Sequence, residues 1–316
     1  MKNTSVAKIV ERLKSEFFTS LYQVSAVSTF SGIGEAAANP FQQDGLALIS
    51  KITASSNIKA SVLKAVELLG GLEKAIHKGD EVLLKPNFNT GDPPPASSDP
   101  NFVEAIIKLL YEHGASKVIL GESSMFSLCT RKVLEDTGML NKAESAGAEV
   151  VPFDEGKWIR ISTGGRYLKK ASLPEKALGR RKLVYACCMK THKWARFSLS
   201  LKLAVGFMKP GERMLLHARN LQEKIADLNL VVHPSLIVMD GRTCFIDGGP
   251  ACGELREPNL VLASGDRVAI DAEAIETIKS YEGSNLQDDP WTYTQIQRAS
   301  ELGIGAKNKK EYTVVS

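Results

Sequence analysis

The sequence predicts an α/β fold: a mostly parallel, Rossmann-like sheet with helices on both faces, preceded by an N-terminal helical extension. Three observations predict it. Short apolar runs, DEVLLK at 80–85, KVIL at 117–120, LVYA at 183–186 and LIVMD at 236–240, read as buried strands. Segments with apolar residues at helical spacing separate such runs, and strands alternating with helices of this length make βαβ units. Finally, 316 residues with 43% hydrophobic and 24% charged content suit a globular chain able to bury a core.

In order, residues 1–22 carry Val6, Ile9, Val10, Leu13, Phe17 and Leu21 at helical spacing, and 1–45 is assigned to the helical extension. GIGEAA (Gly32, Gly34, Ala37) formally matches a dinucleotide fingerprint. Pro40 stops any helix there, and Lys51 or Ile52 stands where the acid is needed, so the segment reads as a Gly/Ala connector. The α/β domain is assigned to 46–316. It starts with a strand at 46–52 and a helix at 57–69 that ends in Gly70-Gly71. Strand 80–85 runs into a Pro-rich loop, in which Pro93-Pro94-Pro95 forbids helix. Helix 102–113, capped by Asp99 or Asn101, leads to strand 117–120. Helices near 130–136 and 141–146 and a strand at 149–153 follow. Alternation at 158–162 reads as an edge strand. Beyond the strand at 183–186 come a helix at 221–227, strand 236–240 and turn signals at Asp240-Gly241-Arg242 and Asp247-Gly248-Gly249-Pro250. A strand at 259–264 and helices at 266–281 and 291–302 close the chain.

Several function classes are excluded at this level. No apolar run reaches the ~18 residues of a membrane helix, and the N-terminus, with Glu11 and Glu16, lacks a signal-peptide core. No membrane partner is expected. Cys129, Cys187, Cys188, Cys244 and Cys252 are odd in number and without CxxC spacing, which argues against disulfides and iron–sulfur ligation and for a cytoplasmic location. Net charge is +4, yet residues 157–213 hold 15 Lys and Arg against two acids, Glu175 and Glu212. Such asymmetry points to an anionic partner or to a solvated basic face.

Polar residues concentrate where strands end. Lys85, Asn87 and Asn89 follow one strand; Glu122, Ser123 and Ser124 another; Lys190 and His192 a third; Asp240 a fourth. In a parallel sheet those ends share one rim, where ligands bind. The stretch 187–219 adds Lys202, Lys209, Arg213, His217 and Arg219. We therefore assign His192, Lys190 and Asp240 to catalysis, with His192 as acid/base and Asp240 orienting it. Lys85, Asn87, Ser123, Lys202, Arg213 and His217 are assigned to binding a small anionic ligand, since charge-assisted bonds suit phosphate or carboxylate. Each has a bland alternative: a turn for Asp240, a helix cap for Ser123, a solvated stem for Lys85. His192, His217, Asp240 and Asp247 form an N/O set compatible with a divalent metal, though at no compact motif spacing, and the cofactor is left open. Trp158, Trp194, Phe197 and Phe207 read as core rather than as platforms for bases.

The blocks KPN (85–87), GESS (121–124), KTH (190–192), SLSLK (198–202), H-x-R (217–219), IADLN (225–229), P-x-L-I-V-M-D-G (234–241), GGP-x-x-G (248–253) and D-x-V-A-I-D (266–271) resemble the domain of unknown function 362 family. The resemblance covers roughly 46–305 in collinear order. It implies a cytoplasmic α/β domain, often joined to ferredoxin-type modules, and an iron–sulfur redox protein as a partner. It adds Asp271 to the motif positions. This chain lacks the ferredoxin segment, so no cluster carries over. The family usually has Asn after the SLSLK lysine; here Leu203 follows Lys202.

Three functions compete. An enzyme would act on a small anion held by Lys and Arg213. A non-catalytic partner or regulatory subunit would keep the fold with a drifted site, as Leu203 suggests. A nucleic-acid-binding protein would use the basic 157–213 segment and lose affinity steeply with salt; the scarcity of stacking aromatics ranks it last.

Overall fold

The computed structural model describes residues 32–179 and 181–316; the helix expected over 1–22 lies outside the described residues. The described residues form thirteen strands: β1 (Gln42–Gln43), β2 (Leu46–Thr53), β3 (Glu81–Lys85), β4 (Lys117–Glu122), β5 (Glu149–Pro152), β6 (Trp158–Ser162), β7 (Lys170–Pro174), β8 (Lys182–His192), β9 (Arg196–Ser198), β10 (Leu236–Gly248), β11 (Gly253–Arg256), β12 (Leu260–Ser264) and β13 (Tyr312–Val315). Eleven of them form one sheet, ordered β1-β2-β12-β10-β8-β3-β4-β5, with β13 on β2, β11 on β10 and β9 on β8. The long strands run mostly in one direction. Strands β10, β8, β3, β4 and β5 are mutually parallel, and β12 alone among the longer ones opposes them.

Period-two alternation of apolar side chains covers both faces, as a buried parallel sheet requires. Leu83, Tyr185, Cys187, Ile237, Met239 and Leu262 enter one core. Val82, Leu84, Val184, Ala186, Val238 and Val261 enter the other. On the second face pack α1 (Ile58–Glu67), α2 (Pro100–Glu112), α3 (Thr130–Asp136) and α4 (Met139–Ser145). On the first pack α5 (Ser200–Leu203), α6 (Pro210–Leu216), α7 (Leu221–Leu228), α8 (Arg267–Lys279) and α9 (Thr294–Glu301). Local chemistry starts these helices where it should. The Asn57 side chain caps α1 at Ala60 N, Asp99 caps α2 at Asn101 N, and Asp266 caps α8 at Val268 N and Ala269 N.

Several sequence expectations need correction. Asp240-Gly241-Arg242 is no turn, because β10 continues to Gly248 past a bulge between Asp240 and Cys244. Asp240 Oδ1 accepts from Arg242 N (3.1 Å), a local side-chain bond that satisfies the bulge within the strand. Strand β6 is not an edge of the main sheet; it pairs with β7 in a separate two-stranded sheet. The GIGEAA connector makes no helix. Ile33 is fully buried and bonded to Val231 O (2.9 Å) and His233 N (2.8 Å). Among the described residues no helix is long and apolar enough to cross a membrane.

The turn after β10 closes over the end of β8. Gly249 has φ 67°, and a Cβ there would lie 2.0 Å from Thr191 O. Only glycine fits both demands. Gly249→Ala should cost at least ~1–2 kcal/mol from the left-handed backbone alone, seen as a lower melting temperature; an unchanged one would mean that this turn is not seated on Thr191.

Candidate functional site

The sheet order places β8, β3 and β4 side by side and parallel, so their polar carboxyl ends line one rim, whereas Asp240 lies within β10. Lys85 closes β3 and Glu122 closes β4. Lys85 Nζ donates to Glu122 Oε1 (2.5 Å) and to Pro86 O (2.6 Å). Glu122 also accepts from Phe88 N and Ser123 N, each at 2.7 Å. Both side chains are only 1% exposed. Burial pulls the Lys85 pKa down, with Glu122 partly offsetting it and Arg213 adding to the decrease. Gly206 makes room for this ammonium, since a Cβ there would stand 2.8 Å from Nζ.

Arg213, on α6, spans the same region. Its Nε donates to Met208 O (2.7 Å), Nη1 to Ser123 O (2.7 Å) and Ser124 O (3.3 Å), and Nη2 to Gly206 O (3.0 Å). Four of the five guanidinium donors are thereby used on carbonyls, which tie the strand end to the helix. Burial lowers its pKa to about 10, so it stays a cation at neutral pH. No carboxylate of the described residues lies within ion-pair distance of Arg213, and the buried Ser123 Oγ beside it has no partner.

Two further lysines complete the cluster. Lys190 is 2% exposed, donates to Ala96 O and has a pKa lowered chiefly by burial. Lys202 sits half-buried on α5 and, among the described residues, has neither a hydrogen-bond partner nor an ion pair for Nζ. Burial first, then the charges of Lys190 and Arg213, bring its pKa down to about 7. Its backbone is fixed from α8. Asp271 accepts from Ser200 N (2.8 Å) and Leu201 N (3.0 Å), and Asn229 Nδ2 donates to Leu201 O (2.9 Å). Asp271 is thus a positioning carboxylate, with a pKa raised by burial to about 7. Leu203 is 8% exposed and packs into the core.

His192 ends β8 and is 4% exposed. Its Nδ1 accepts from Trp194 N (3.1 Å) and Ala195 N (3.2 Å), which puts the ring proton of the neutral form on Nε2. Burial, then the charges of Lys202, His217 and Lys190, drive its pKa to about 2. His192 is therefore a neutral hydrogen-bond donor at working pH, and Lys202 is the group that titrates near neutrality. The exposed His217 ring stacks on His192 at 6.4 Å between centroids and 23°, with Nδ1 facing Arg213 O at 3.0 Å. A carbonyl only accepts, so Nδ1 carries a proton.

The other assigned residues stand apart from this group. Asp240 is held by Arg242, through Nη2 (2.6 Å) and Nε (2.9 Å), and the same guanidinium reaches Asp99 (2.7 Å). Asn87 Nδ2 faces the Cys188 thiol at 3.8 Å, and burial pushes that thiol's pKa up. Asp247 accepts from Asn285 (2.8 Å). Among the described residues no three His, Cys, Asp or Glu side chains are grouped to hold a metal ion. Trp194, expected in the core, is instead 69% exposed and meets the His217 ring edge-on at 6.5 Å, whereas Phe197 and Phe207 are buried as expected. The assignment also omitted Glu122, although its place at a strand end and the GESS block both marked it.

Glu122→Gln should destabilise the protein by about 3–5 kcal/mol, because it leaves Lys85 buried without its counter-charge. The double variant Lys85→Met/Glu122→Leu should recover much of that loss in urea unfolding. A double variant as unstable as the sum of the singles would contradict the pairing.

Comparison with known proteins places the chain. Its sequence is 26% identical over 258 residues to a thylakoid-associated protein of Synechocystis sp., covering 79% of this chain and 76% of that one. Its fold is similar to the lactate racemase apoprotein of Thermoanaerobacterium thermosaccharolyticum, at 12% identity and a TM-score of 0.45. That match covers 78% of this chain and 62% of the racemase, so the chain spans less than two thirds of the racemase's length. The family described as "Domain of unknown function (DUF362)" matches residues 82–276, and this chain belongs to it.

Proposed function

We propose that this protein is an enzyme that binds a small phosphate- or carboxylate-bearing substrate at the carboxyl rim of a Rossmann-like sheet. One observation carries the reading. Buried Lys85, Lys190 and Arg213 gather with half-buried Lys202, and Glu122 is the one carboxylate of the described residues bonded to any of them. Unpaired buried charge is costly. An anion seated by Lys202 Nζ and His192 Nε2 would offset that cost and take charge-assisted bonds from donors that otherwise have none. In this reading Lys202 exchanges a proton with the substrate, since its pKa lies near 7. His192 fixes the orientation of the substrate through its Nε2–H. Lys190 and Arg213 supply positive potential while their own donors hold the rim together.

Two observations favour a small ligand over nucleic acid. Lys190, Lys202 and Arg213 turn inward. Three other cations of the basic segment are paired with acids, Arg160 with Glu212, Arg181 with Glu81 and Lys182 with Glu35. We place the protein in the cytoplasm, in keeping with its five free cysteines. The name of the Synechocystis relative leaves open an association with a membrane surface, which is taken up in the test below.

Sulfate keeps its charge across neutrality, so any pH dependence of its binding reports on the protein. Lys202 is a cation below about 7 and neutral above, so sulfate affinity should fall as pH rises through that value. Lys202→Met should weaken sulfate binding by roughly 1.5–3 kcal/mol at about pH 6 and flatten the profile, as read by isothermal titration. Absence of sulfate binding by the unaltered protein at that pH would refute the anion site.

A further inference from the structure

We infer that the anion taken by this site carries a planar apolar portion, which lies on Trp194 and Met214; this rests on the anion reading above. Six large hydrophobic side chains are exposed among the described residues, and two of them flank His217: Trp194 at 69% and Met214 at 44%. Isolated exposed hydrophobics need no explanation, whereas a cluster beside a polar site marks a contact surface. Here the cluster is continuous with the cations. Trp194 meets His217 edge-on at 6.5 Å, and His217 stacks on His192 at 6.4 Å. Met214 lies one turn before His217 on α6, on the same side of the helix. The same helix carries Arg213, which is bonded into the rim at Ser123 and Ser124.

Each contact fixes the next. The Trp194 backbone N–H is committed to His192 Nδ1, which ties this residue to the site while its side chain stays largely exposed. A ligand with its anionic group at Lys202 would pass His192 and His217 and emerge at the indole. A bare inorganic anion would leave this surface wet. An aryl or otherwise flat apolar substituent would cover it, with the offset or edge-on geometry aromatic rings prefer.

The test compares two singly charged sulfonates on the full-length protein, methanesulfonate and naphthalene-2-sulfonate, by isothermal titration. The naphthyl compound should bind about tenfold more tightly. Trp194→Ala, a change at an exposed side chain, should remove that preference and leave methanesulfonate affinity unchanged. Lys202→Met should weaken both. Equal affinities for the two sulfonates, or naphthyl binding untouched by Lys202→Met, would overturn the inference while leaving the anion site standing. If neither sulfonate binds, the anion site itself fails. Sedimentation with phosphatidylglycerol vesicles that is sensitive to Trp194→Ala, without any naphthyl preference, would overturn the inference in favour of a membrane surface.

Discussion

The rim depends on a single buried ion pair, Lys85 with Glu122, at the adjoining ends of β3 and β4. An ammonium and a carboxylate this deeply buried persist only with partners beyond each other, and here each has them. Pro86 O takes a second ammonium proton, and Phe88 N and Ser123 N supply the carboxylate. Those bonds dictate the path of the chain after both strands. They also leave the carbonyls of Ser123 and Ser124 facing inward, where Arg213 collects them. Segment 200–216 is thereby tied to the sheet by a cation on backbone oxygens rather than by apolar packing alone.

That arrangement divides the cations into two kinds. Lys85, Lys190 and Arg213 are spent on holding the rim, through a carboxylate or backbone carbonyls. Lys202 is not spent. Asp271 and Asn229 position its helix without touching its ammonium, and burial first, then repulsion from Lys190 and Arg213, depresses its pKa. His192 is in a comparable state: Nδ1 is satisfied by two backbone N–H groups, and burial, aided by the neighbouring cations, keeps the ring neutral.

Much of this was legible in the sequence. Apolar runs ending in polar residues located β3, β4 and β8, and parallel topology placed those ends together, because strand direction alone fixes which edge they share. What the sequence hid was pairing at a distance. Asp240-Gly241-Arg242 reads as a turn, yet Asp99, distant in sequence, shares the guanidinium that keeps those residues within β10. Strand β13 is four residues at the chain end, too short to carry a period, and it exists because β2 offers it a parallel partner. Trp194 looked like core because tryptophan usually is; its neighbours in space, His217 and the open end of β8, could not be read from its neighbours in sequence. The exchange of roles between His192 and Lys202 was also hidden. Histidine's ordinary pKa suggested the acid/base, and burial among cations reversed the order.

The central claim, an anion seat built around an unspent lysine, is tested most directly by soaking crystals of this protein in selenate near pH 6 and locating selenium by its anomalous scattering. The predicted result is a peak within hydrogen-bond reach of both Lys202 Nζ and His192 Nε2, one that disappears in Lys202→Met. A peak confined to Arg181 and Lys182 at the opposite ends of the strands, with none beside Lys202, would contradict it.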